Sequence, residues 1–169
     1  MHLHQLAVAC HQIPEAEIEA ALRHPAVSIA SDGFIGEGPS NHPRGAGTFS
    51  RVLGLYVRER KVLPLMDALR KMTVQPTRRL EDGAPALRRK GRLSPGMDAD
   101  ITVFDPEKVI DRATFQNPKQ YSAGITHVLV NGTVVVRDGK LTLEASGPGR
   151  WIQGIGAATQ GQGPAKQRD

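Results

Sequence analysis

The chain has 169 residues, of which 39% are hydrophobic and 4% aromatic, and its 22 Lys and Arg against 17 Asp and Glu give a net charge of +5 and a pI near 9.7. That content points to one compact soluble domain, and a single cysteine, Cys10, excludes an internal disulfide and fits a reducing compartment. No apolar run approaches the roughly 18 residues of a membrane span, and the early acidic turn in MHLHQLAVACHQIPEAE speaks against a signal peptide, so a cytoplasmic location is expected.

In chain order, Pro14 followed by Glu15, Glu17 and Glu19 begins a helix, and Arg23 and His24 close it before Pro25. Residues 26–30 (AVSIA) form an apolar run without polar alternation, the pattern of a strand covered on both faces in a parallel sheet. Asp32 and Gly33 follow, and then a loop from Gly36 to Gly47 with four glycines and two prolines among its twelve residues.

Phe49, Val52, Leu53, Tyr56 and Val57 recur at helical spacing and predict an amphipathic helix to about Arg60. A second helix is predicted from Pro64 with Leu65, Leu69 and Met72 as its stripe, stopped by Gln75-Pro76, with a short helical turn over residues 77–80.

From Gly91 the period changes from helical to alternating. Ser94-Pro95-Gly96 predicts a turn, residues 101–104 a strand, and residues 126–130 and 133–137 a hairpin across Asn131-Gly132, with Asp138-Gly139 as the next turn. The result is a small antiparallel sheet. The Gly- and Gln-rich stretch from Gly147 predicts a tail, flexible beyond about Gly154.

In folds with parallel strands, ligands bind outside the carboxyl ends of the strands, and Asp32 lies at such an end. His42, Arg44 and Arg51 add donors suited to an anion. On the residues alone two readings stand side by side: a site, or an Asp-Gly turn with Arg44 paired to a surface acid. The run Arg88-Arg89-Lys90 with Arg92 is half of a nucleic-acid signature, because no aromatic residues sit among the basic ones. A solvated turn explains it more simply.

The segments LRHPAVSIASDG, HPRGAGTFSRVLGLYVRERKVLPLMDALRKMT, KGRLSPGMDADITVFDPEKVIDRATFQNP and GITHVLVNGTVVVRDGK occur in that order. With them, residues 15–152 resemble the C-terminal third of the D-aminoacylase (N-acyl-D-amino-acid deacylase) branch of the amidohydrolase superfamily. The resemblance implies an α/β fold: the last βα segment of a metal-dependent (β/α)8 barrel over residues 1–85, then the C-terminal strands of a small β-sandwich over 86–145, and a flexible tail over 146–169. It implies hydrolysis of the amide of an N-acyl-D-amino acid by a metal-activated water, zinc in the full-length family, with Asp32 as general base and then acid and as a contact to a second metal. Arg44 is the first choice for the substrate carboxylate, with His42 and Arg51 as further substrate-binding candidates. Ala46 and Ser50 depart from the aromatic and the proline that many relatives carry there.

A barrel of this kind takes about 250 residues, and only its last strand is expected here. His2 and His4 spell a His-x-His pair, read as accidental because no strand precedes it. The expectation is therefore a fragment, from a truncated gene, a miscalled start or a split subunit, that alone binds no metal and is inactive. The alternatives are a non-catalytic subunit completing a barrel encoded as a separate chain, and a basic nucleic-acid-binding module.

Overall fold

A computed structural model describes residues 13–33, 42–142 and 147–156. His2, His4, Cys10, the first part of the Gly36 loop and the tail beyond Gly156 lie outside the described residues. Among the described residues no helix is long and apolar enough to cross a membrane.

Helix α1 spans Glu15–Arg23, with Pro14 at its N-cap, Glu15 and Glu17 at the positive end of its dipole and Arg23 at the negative end. Its buried residue is Leu22. Residues 26–30 carry no strand ladder, contrary to the sequence expectation. An apolar run becomes a strand only when neighbouring strands take up its backbone groups, and this one lies against helices instead.

Helix α2 spans Arg44–Arg51, so it begins five residues before the predicted start at Phe49. Gly45 and Gly47, which suggested loop, lie inside it. Gly47 is buried against Asp111, whose Cβ would sit 2.8 Å from any Cβ placed there, so small size explains that glycine better than flexibility does. The chain continues directly into a π-helix, Val52–Glu59, in which Arg60 N–H donates to Leu55 O at 2.8 Å, the wider i to i+5 step. The change of pitch breaks the single apolar stripe: Val52, Leu53 and Tyr56 are buried, whereas Phe49 is 42% exposed.

Helix α3 spans Leu65–Met72 and α4 spans Val74–Leu80, with a break at Thr73 (φ −124°, ψ −88°). The stop falls before Gln75-Pro76, because Pro76 occupies the first turn of α4, where its missing N–H has no partner to lose. A short 3-10 helix, Pro85–Arg89, leads to the sheet.

Strands β1 (Ile101–Phe104), β2 (Ile125–Val130), β3 (Thr133–Arg137) and β4 (Lys140–Leu141) form an antiparallel sheet in the order β1-β2-β3-β4. Asn131 (φ 47°) with Gly132 (φ 79°), and Asp138 (φ 51°) with Gly139 (φ 73°), are left-handed pairs that match the twist of a two-residue hairpin. The main apolar cluster joins Leu22, Ile29, Val52, Leu53, Tyr56, Val62, Leu63 and Ala68 to Val109 of the β1–β2 connection, with Phe104 and Ile125 packed on it. Helices and sheet therefore share one core.

The Asp100 carboxylate accepts the Asn131 N–H at 2.8 Å and pairs with Lys90, which also meets Asp98 at 3.1 Å, tying the connector to the β2–β3 turn. Burial pushes Asp100 up, but the Asn131 amide and Lys90 outweigh it and hold the carboxyl below its ordinary value. Burial likewise pushes Lys90 down, and the two aspartates reverse the sign. A depressed carboxylate contributes stability above its unfolded pKa and loses it as pH falls through the folded one. Melting temperatures are thus expected to drop below about pH 4, and Asp100→Asn to flatten that acid limb. An acid limb as steep in the variant as in the parent would remove Asp100 as its source.

Candidate functional site

The site is built where residues 26–33 meet the start of α2. Asp32 has φ 46°, a left-handed conformation that few residues with a Cβ adopt, and Asp among them more readily than most. Gly33 N–H donates to Ser31 Oγ at 3.1 Å, which tightens the turn behind it. A Cβ on Gly33 would come within 2.7 Å of Gly45 Cα, so a glycine on each side lets the two segments pass closely. That approach brings Asp32 Oδ2 to 2.8 Å from Arg44 Nη2.

Asp32 and Arg44 are thus one pair, with side chains 84% and 46% exposed. Arg44 pairs with an acid, and that acid is Asp32 itself, the other candidate. An ion pair so exposed contributes about 0–1 kcal/mol, so either partner can exchange it for a ligand at little cost. His42 stands beside them: its Nδ1 accepts the Arg44 backbone N–H at 3.1 Å, and its ring meets Phe115 edge-on at 5.0 Å. His42 therefore shapes the start of α2, which its sequence position beside Pro43 did not reveal.

Arg51 is not brought to Asp32. Its Nη1 lies 3.4 Å from Asp111 Oδ2, a carboxylate only 11% exposed that packs beneath Gly47. The sequence offered no sign of that partner, 60 residues downstream.

Sequence reasoning also missed Ser31 and Ser122. Ser31 closes the Asp32 turn, and Ser122 Oγ donates to Ala46 O at 3.3 Å, fastening α2 to the β1–β2 connection. Both line a cleft of about 880 Å³ between α2, α3 and the sheet, with Leu53, Leu69, Met72 and Phe104 as apolar walls and Arg44 at one edge. Only tertiary packing creates this space, so no local signal could have announced it.

The residues present do not fit a metal centre. Among the described residues no three His, Cys, Asp or Glu side chains come together in a way that could hold an ion, and Asp32 is directed to Arg44. A centre in this fold would have to draw its ligands from outside them. The basic run is largely neutralised: Arg88 pairs with Asp82 at 3.2 Å, Arg89 with Asp98 at 3.2 Å, Lys90 with Asp98 at 3.1 Å and Arg92 with Glu81 at 2.8 Å. Paired cations of this kind favour the solvated-turn reading over a phosphate-binding face.

Comparison with known proteins gives a consistent set of similarities. The profile of the amidohydrolase family matches residues 4–136. An N-acyl-D-glutamate deacylase of Alcaligenes xylosoxydans xylosoxydans is 45% identical over 121 residues, 72% of this chain and 24% of that protein. A D-aminoacylase of the same organism is 38% identical over 133 residues, 79% of this chain and 26% of that protein.

Among solved structures, the Bordetella bronchiseptica N-acyl-D-glutamate deacylase, complexed with zinc and a phosphonate mimic of the tetrahedral intermediate, superposes with a TM-score of 0.64 at 40% identity. The match covers 76% of this chain and 27% of that one. A D-aminoacylase with a binuclear metal centre gives 0.68 at 38% identity, over 77% of this chain and 26% of its own. The chain thus spans about a quarter of the length of the relatives it matches.

Proposed function

This chain belongs to the amidohydrolase family, its similarity lying among the D-aminoacylase-like members, and we propose that it supplies one wall of the pocket that hydrolyses the amide of an N-acyl-D-amino acid. Asp32 takes the proton of the attacking water and returns it to the departing amine. Arg44 binds the substrate carboxylate. The observation that carries this reading is the Asp32–Arg44 pair at 2.8 Å, a proton-transfer group beside a carboxylate receptor. The exposure of Asp32 suits a pocket whose facing wall, with its metal ligands, is not among the described residues.

His42 holds the Arg44 backbone and Arg51 is turned to Asp111, so in this reading Arg44 carries the substrate carboxylate.

The test is reconstitution. An N-acyl-D-glutamate deacylase lacking the quarter that this chain matches is co-expressed with it, and hydrolysis of N-acetyl-D-glutamate is measured with zinc present. Activity is expected from the pair and from neither part alone. Turnover by this chain alone, or none from the pair once complex formation is shown, would sink the proposal. In the active pair, Arg44→Ala is expected to raise KM for carboxylate substrates about 10- to 100-fold while kcat changes little, the value of one charge-assisted contact. An unchanged KM would assign the carboxylate to another residue.

A further inference from the structure

Residues 26–30 have no strand beside them among the described residues, yet several of their backbone groups bond to side chains and backbone of the α3–α4 region. Lys71 Nζ donates to His24 O and, at 3.1 Å, to Val27 O. Gln75 Nε2 donates to Val27 O at 2.9 Å and to Ser28 Oγ at 3.2 Å, and Arg79 Nη2 donates to Ala26 O at 2.8 Å. In the other direction Ile29 N–H donates at 3.0 Å to the Lys71 carbonyl, one of those that the end of α3 leaves without a helical partner.

Lys71 near the end of α3, and Gln75 and Arg79 four residues apart on α4, form a row by their shared contacts, since all three reach residues 24–28 across the break at Thr73. The row does for this segment what a neighbouring strand does in a sheet. Lys71 is only 2% exposed, and an ammonium in such a place costs stability unless it is bonded, so an apolar side chain would serve packing better.

We propose that Lys71, supported by Gln75 and Arg79, is a positioning residue for Asp32. The row fixes the path of residues 24–29, and the chain reaches Asp32 three residues after Ile29, in a left-handed turn pinned on its far side by the Gly33–Gly45 contact. The inference rests on reading Asp32 as the carboxylate of the site, but its test does not use catalysis.

The test is NMR on the full chain, comparing the parent with Lys71→Met, Arg79→Met and Arg44→Met by amide exchange and by the Asp32 side-chain carboxyl resonance. Lys71→Met keeps the apolar stem and removes the donor. It is expected to speed exchange of the amides of residues 27–33 about tenfold and to shift the Asp32 resonance to its position in Arg44→Met, where the ion pair is gone. Arg79→Met, at an exposed contact, is expected to act in the same direction by about threefold, and Arg79→Lys to restore the parent pattern. Exchange in β2 and β3 stays unchanged.

An Asp32 resonance that does not move, or exchange quickened equally in the sheet, overturns the proposal and leaves Lys71 a merely stabilising residue. Should Lys71→Met fail to fold, the Arg79 pair decides by the same two measurements. The expected NMR pattern together with an inactive reconstituted pair would keep the placement of Asp32 by this row and discard the catalytic reading of that aspartate.

Discussion

Asp32→Asn in the reconstituted hydrolase is expected to lower kcat about 10³-fold while KM for an N-acyl-D-amino acid stays constant or falls. Asparagine keeps the size of aspartate and still offers an oxygen to Arg44, so the turn at φ 46° and the approach of the two segments are retained. What it loses is the ability to accept and return a proton, a contribution typically of 10²- to 10⁴-fold. The direction of the KM change follows from the proposed role of Arg44: Asp32, which pairs with it at 2.8 Å, and a substrate carboxylate would compete for the same guanidinium, so neutralising one competitor favours the other. Because the pair is exposed and contributes about 1 kcal/mol at most, the melting temperature is expected to hold. A kcat within tenfold of the parent, or a loss confined to KM, would show that Asp32 binds and does not transfer protons. The opposite split expected for Arg44→Ala makes the two variants controls for each other.

The features legible in the sequence are those whose causes are local. Pro14 with its following glutamates announced α1, and Asn131-Gly132 announced the hairpin, because each places a specific demand on φ or on a helix end that neighbouring residues alone satisfy. Residues 26–30 showed an apolar run but neither its partner nor its depth, for only Ile29 is buried while Ala26 and Ala30 are exposed, and an apolar run against helices looks the same in sequence as one between strands. Glycines at 45 and 47 were misleading because glycine is chosen both for loops and for close contacts, and Asp111, which explains Gly47, is far away in sequence. The π-helix was invisible for a related reason, since Gly54 lies where a Cβ would come within 2.5 Å of Val109 O, a contact set by the fold. At the candidate site, the sequence offered Asp32, His42 and Arg44 as candidates, and these lie together. Which arginine faces the aspartate was decided by Asp111 and by the Gly33–Gly45 approach, neither of which leaves a periodic trace.

That same dependence on close approach gives the largest expected effect on stability, at Gly124. It stands immediately before β2 with φ 76°, where an added Cβ would lie 2.4 Å from Val109 N and 2.5 Å from the Lys108 carbonyl carbon, both backbone atoms that cannot swing aside. Asp105 N–H donates to Gly124 O at 2.8 Å, and Val109, fully buried, sends its carbonyl to Arg58 at 2.7 Å, so a shift here pulls on the sheet and the π-helix together. Gly124→Ala adds a left-handed cost of about 1–2 kcal/mol to an overlap of about 1–3 kcal/mol. The sum, about 3 kcal/mol, is a large fraction of the roughly 5–15 kcal/mol that holds a domain together, and it corresponds to a fall of about 10 °C in melting temperature for a chain of this size. Gly132→Ala separates the two terms, because Gly132 has φ 79° but nothing within 4 Å of its added Cβ. It should lose only about 3–6 °C. Melting curves of the two variants, followed by far-ultraviolet circular dichroism and by near-ultraviolet circular dichroism of the aromatic side chains, decide the matter. Equal losses would mean that backbone conformation alone sets the cost. A larger loss at Gly124, seen at the same temperature by both probes, would mean that the helices carrying Arg44 and the sheet melt as one unit through Val109.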